Sequence, residues 1–102
     1  MDKKWKEGGR MKFEKQVLNA IVDNVISKVT EGFTDVHGVH LVDNKEVVDT
    51  IVRSIAYALG YDYVVSYQVQ NGIMCLVDIH LRLEDFMFER VKTVAFRWGE
   101  VE

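Results

Sequence analysis

No proline occurs in the 102 residues. No turn therefore depends on a ring-fixed φ, and no X–Pro isomerisation can slow folding. There is one cysteine, Cys75, which excludes an intrachain disulfide and a CxxC redox pair. No apolar run approaches the roughly 18 residues of a membrane-spanning helix, and the polar N-terminus lacks the hydrophobic region of a signal peptide. A cytosolic location is the resulting expectation. A phosphate-binding loop, a dinucleotide fingerprint and a nucleophile elbow are all missing.

What is present is an ordinary globular composition, 48% hydrophobic and 28% charged, in a chain of single-domain size that can bury a core without staples. The charge is uneven. Residues 1–15 carry six basic side chains (Lys3, Lys4, Lys6, Arg10, Lys12, Lys15) against three acidic ones, and the remainder carries seven against thirteen. An acidic body argues against phosphate-backbone binding as the main activity.

Residues 1–10 have no apolar period and contain Gly8-Gly9, so they read as a disordered tail. Lys6-Glu7-Gly8-Gly9 can be encoded by codons containing a bacterial ribosome-binding sequence just ahead of Met11. On this reading Met11 is the natural start, residues 1–10 are a start-site extension and the source is bacterial or a phage. Residues 11–102 form the single domain.

The stretch Tyr61–Leu83 reads as a β-hairpin turning at Asn71-Gly72, the strongest short-range hairpin signal. A three-residue loop, Gln70-Asn71-Gly72, pairs Val69 with Ile73 and places Gly72 at positive φ. Tyr61, Tyr63, Val65, Tyr67 and Val69 then share a face with Ile73, Cys75, Val77, Ile79 and Leu81. A two-residue loop would split this apolar set, because a one-residue slip flips every side chain. Each large apolar side chain buried is worth about 1.5–3 kcal/mol, more than turn preferences supply, so the three-residue loop is expected.

Before the hairpin, Met11–Glu31 has apolar residues at helical spacing (Val17, Leu18, Ile21, Val22, Val25, Ile26, Val29), with Gly32 as its stop. The stripe is wide enough for more than one neighbour. Val36–Val42 reads as a short strand weakened by Gly38. Asp43 and Glu46 stand as a variant capping box for a helix carrying Val47, Val48, Ile51, Val52, Ile55 and Leu59 and ending at Gly60. After the hairpin, Glu84 and Asp85 suit a helix N-terminus, with Met87, Val91, Val94, Ala95 and Trp98 on one face. Thr93–Trp98 could alternatively be a fourth strand, and Gly99 ends either. The expected fold is an α+β two-layer sandwich of order α-β-α-β-β-α, helices on the apolar sheet face. The alternative is ferredoxin-like, β-α-β-β-α-β with an extra N-terminal helix. Should the first two strands be parallel neighbours, the crossover between them is right-handed.

Candidate chemistry is sparse. His37 and His40 point to opposite faces if they lie on a strand, so no metal site is assigned. The other face of the hairpin carries Asp62, Val64, Ser66 and Gln68 with Met74, Leu76, Asp78, His80 and Arg82. In the expected register Asp62 opposes His80, and Ser66 lies two positions beyond Asp78. The cluster Asp62, Asp78, His80 and Arg82 could serve acid/base or anion-binding chemistry. Cross-strand ion pairing accounts for the same residues, and no nucleophile with a partner is evident. No catalytic residue and no cofactor is assigned. Cys75 reads as a small core hydrophobe. Tyr61, Tyr63 and Tyr67 could stack bases, but they lie on the face the helices should cover. Val64, Met74 and Leu76, ringed by polar residues, resemble a protein interface. Surplus apolar residues Phe13, Phe86, Phe88 and Phe96 add to the case for a homodimer. The expectation is a non-catalytic protein-binding or regulatory domain that pairs with itself. Alternatives are a small enzyme or a metal- or anion-binding protein using the polar cluster, and a nucleic-acid-associated protein using the basic arm.

Overall fold

The computed structural model describes residues 12–30, 34, 38–70 and 74–98. The basic tail, Met11, Gly32, Val36, His37, the turn residues Asn71, Gly72 and Ile73, and Gly99 lie outside the described residues, and with them the proposed start site, the positive φ of Gly72 and two of the expected stops.

The order is α1 (Lys15–Val29), β1 (His40–Leu41), α2 (Lys45–Leu59), β2 (Asp62–Gln70), β3 (Met74–Arg82) and β4 (Glu89–Arg97). The α+β class and the helices-on-one-face layering hold. The element after the hairpin is a strand, as the alternative for Thr93–Trp98 had it but starting already at Glu89, not the helix expected at Glu84, and no helix intervenes that would make the fold ferredoxin-like. The sheet order is β1-β4-β3-β2. β1 and β2 therefore form opposite edges rather than parallel neighbours, and β1 instead pairs parallel with β4, His40 opposite Phe96 and Leu41 opposite Arg97.

α2 forms for local reasons. Asn44 is its N-cap, the side-chain oxygen accepting from Val47 N–H at 3.1 Å. Such a cap satisfies one of the four orphan amides of a first turn. The cap thus falls one residue later than the Asp43 reading, and Val47 rather than Glu46 occupies the third helical position. Gly60 ends the helix at φ 77°, in the left-handed region where a Cβ is penalised. Val48, Ile51, Val52, Ile55 and Ala56 are buried, and α2 packs over β2. α1 buries Leu18, Val22 and Ile26 against β4 and touches α2, as its wide stripe implied. β1 is shorter than expected because Gly38 turns the chain at φ 80° just before it.

The hairpin ladder runs Asp62↔Arg82 through Gln70↔Met74 without interruption. Val69 pairs with Cys75 and Gln70 with Met74, a slip of two from the expected pairing of Val69 with Ile73. Side-chain faces survive such a slip because the strand period is two. The observed register puts Asp62 against Arg82, whereas the expected one would have set Arg82 against Gly60, the cap of α2. On the helix side Cys75, Val77, Ile79 and Leu81 are buried, with Tyr61; Tyr63, Val65 and Tyr67 are partly so.

β4 contains the irregularity that disguised it. Ile79 pairs with Lys92 but His80 pairs with Arg90, so Val91 is the extra residue of a bulge. Bulges leave one residue unpaired and locally disrupt alternation. The fully covered positions become Val91, Val94 and Phe96, a three-then-two spacing that mimics a helix. Asn19 of α1 donates to the Val91 carbonyl at 2.6 Å, and Lys92 reaches Asp23 of α1 at 3.3 Å. The connection before β4 turns at Glu84, φ 51°, closed by Phe86 N–H to Leu83 O at 2.9 Å.

Candidate functional site

The even-numbered residues of β2 and β3 point away from the helices, together with Thr93, Ala95 and Arg97 of β4. Among the described residues no element lies over them. This open face is organised in rows by the ladder: Ser66–Asp78–Thr93, Val64–His80–Arg90 and Gln68–Leu76–Ala95. Gln70 and Met74 close the loop end.

The four residues considered for acid/base or anion chemistry are divided. Asp62 stands opposite Arg82, not His80, and accepts from Nη2 at 3.0 Å and Nε at 3.3 Å. The same guanidinium lies 4.4 Å from the centre of the Phe88 ring. Asp78 is held separately. Thr93 Oγ1–H donates to its Oδ1 at 2.5 Å, and Arg90 Nη1 stands 4.0 Å from the same oxygen. Ser66 is directly across from Asp78, not two positions beyond it. His80 sits between the two ion pairs, flanked by Val64 and Arg90. These are cross-strand pairs at a partly wet surface, where each contributes little, about 0–1 kcal/mol. Among the described residues no group of three or more His, Cys, Asp or Glu could hold a metal ion.

Thr93 and Arg90 were not identified as members of this face, since the leading expectation after Glu84 was a helix and the alternative strand began only at Thr93. The signal available was the β-branched composition of Val91, Thr93 and Val94.

The covered face has its own polar contacts. Tyr63 O–H donates to the Asp49 carboxylate at 3.1 Å. Lys45 Nζ lies 4.4 Å from the centre of the Tyr67 ring. Burial, aided by the charge of Asp49, pushes the Tyr67 phenol up to about 12, and burial raises the Cys75 thiol. Cys75 is fully buried, as a core hydrophobe should be. The tyrosines lie under α2 and cannot stack bases from this position. Thr30, itself buried, donates its hydroxyl to Ile26 O at 2.8 Å and meets His40 Nδ1 at 2.6 Å. The tautomer of His40 decides whether Nδ1 donates to the Thr30 hydroxyl or accepts from it. Burial, ahead of the opposing charge of Asp23, lowers its pKa.

The surplus phenylalanines divide. Phe96 is fully buried, and Phe13 packs against the core, while Phe86 is 51% exposed. Phe13, Leu18, Tyr61, Leu81, Leu83 and Phe86 line a cleft of about 220 Å³ between the start of α1 and the β3–β4 connection. That is smaller than the ~300–1,000 Å³ usual for ligand sites.

No described helix is long and apolar enough to cross a membrane. In comparisons with known proteins, no family model, curated protein or solved structure matches the chain.

Proposed function

We propose that the chain is a non-catalytic protein-binding domain, working in the cytosol as a homodimer, with the open face of its sheet as the contact surface. The observation that carries this reading is the uncovered face. Met74, Leu76 and Ala95 make an apolar patch toward the hairpin end, Val64 stands beyond the polar row Ser66–Asp78–Thr93, and Ser66, Gln68, Asp78, His80 and Arg82 complete the polar surroundings. An apolar centre with a polar rim is the anatomy of a protein interface. Val64 is 44% exposed. The charges at the margin are already paired, Asp62 with Arg82 and Asp78 with Thr93 and Arg90. A partner laid on the patch need not bury a lone charge, which would be strongly unfavourable. A second copy is the first candidate because closed two-fold pairing is the commonest assembly of small chains. A cytosolic setting suits a chain whose one thiol is buried and raised in pKa.

Sedimentation velocity at micromolar concentration tests the pairing. The expected result is a species of two chains in reversible equilibrium with one. A strict monomer across the accessible range would overturn the homodimer.

A further inference from the structure

The two edges of the sheet are unlike. β1 closes one edge with two residues. β2 forms the other with nine, and among the described residues its strand partner is β3 alone. An edge strand presents a row of N–H and C=O groups that can template another strand. Proteins guard such edges with short strands, lysines, prolines or bulges. β1 has the first of these. β2, DYVVSYQVQ, carries one charge, Asp62, with no lysine and no proline. Its ladder with β3 has no register shift; the bulge of this sheet lies between β3 and β4.

We infer that β2 pairs antiparallel with β2 of a second copy, about a two-fold axis through Ser66, so that the two sheets become one. This rests on the homodimer reading above but moves the contact between copies from the open face to the β2 edge, leaving that face for another protein; the test below separates the two placements.

Parity limits the axis. The odd-numbered residues of β2 lie under α2 and the even-numbered ones face out. Two strands that continue one sheet must set odd against odd. An axis through a residue does this, and an axis between residues does not. Ser66 is the middle residue of the strand, so this axis uses its whole length. Asp62 then meets Gln70 of the second copy, and the two Asp62 carboxylates lie at opposite ends of the seam. Like charges directly opposite, which destabilise a pair of strands, are avoided throughout. Tyr63 meets Val69 and Val65 meets Tyr67, aromatic against β-branched as strand pairs favour. Val64 and Val69, 44% and 36% exposed, gain cover.

The open faces of both copies become one continuous surface.

The test compares full-length wild type with Ser66→Lys, Leu76→Asp and Ser66→Cys. Ser66 is exposed, so lysine there leaves the monomer folded, which far-UV circular dichroism verifies. Ser66→Lys sets two ammonium groups against each other on the axis and should weaken dimerisation roughly tenfold or more, less so at high salt. Leu76→Asp, on β3 and away from the seam, should leave the dimer intact. Residues directly opposite in antiparallel strands have Cα atoms about 4.5–5.5 Å apart, within disulfide range. Ser66→Cys should therefore cross-link two chains under mild oxidation, whereas Ser27→Cys on the exposed side of α1 should not. A dimer lost in Leu76→Asp and kept in Ser66→Lys would overturn the β2 seam while leaving the homodimer standing on joined faces. Absence of the Ser66→Cys cross-link in a dimeric protein would overturn the seam as well. A monomeric wild type would overturn both readings.

Discussion

Replacing Phe96 by alanine tests the strand identity of residues 89–97. On the helical reading Phe96 lies off the face shared by Val91, Val94, Ala95 and Trp98, so its ring would project into solvent. In β4 the ring is fully buried. It stands opposite Cys75, also fully buried, on one side and opposite His40 on the other, with the His40 ring centred 5.7 Å away. Truncating a buried phenylalanine removes its transfer free energy and leaves a cavity, together about 3–5 kcal/mol. The site cannot collapse easily, since β1 and β3 hold β4 from both sides. The loss would consume a large share of the ~5–15 kcal/mol that holds a typical domain together. Urea unfolding followed by far-UV circular dichroism measures it. The midpoint should fall steeply at an unchanged slope. Phe86→Ala, at a position 51% exposed, should cost under about 1 kcal/mol. A Phe96→Ala variant as stable as the Phe86→Ala variant would refute the placement of β4.

Three further outcomes are expected. Partial burial lowers the pKa of His40 from 6.5 in the folded chain, so the unfolded chain binds the proton more readily. Its contribution to stability is complete above the unfolded value and is lost as pH falls from there through the folded one. His40→Asn should flatten the stability profile in that range, and an unchanged profile would contradict this. Thr30→Val removes the buried hydroxyl that bonds Ile26 O and meets the half-buried His40 Nδ1 and should cost about 0.5–1.5 kcal/mol by thermal unfolding; a neutral result would show that the contact contributes nothing. Glu84 holds a left-handed conformation, so Glu84→Gly should raise stability, by up to about 1 kcal/mol after the added entropy of the unfolded chain. A lowered melting temperature would show that the turn is not strained.

The legible parts of the sequence were those where one period dominates. Val48, Ile51, Val52 and Ile55 with Gly60 specify α2, and the alternation from Cys75 to Leu81 specifies which side of β3 is covered. The Asp62–Arg82 register was hidden because a slip of two keeps every residue on its face, and only the cross-strand charge pair separates the possibilities. β4 was hidden by its bulge: Val91 to Val94 is a helical step, and Glu84-Asp85 supplied a false N-terminus. The missing strand took Thr93 and Arg90 with it, so Asp78 was grouped with Asp62 and Arg82 when its partners lie on the other side of β3. The two-residue β1 could not be placed from its own length; its position follows from the parallel pairing of His40 with Phe96 across a wide sequence gap.

Thiol reactivity measures the sidedness of the sheet, on which the contact surface depends. Native wild-type chain treated with a thiol reagent should show Cys75 unreactive until denaturant is added, and Leu76→Cys should add one promptly reactive thiol. A Cys75 that reacts in the native state as fast as in the denatured one, beside a silent Cys at position 76, would contradict the account.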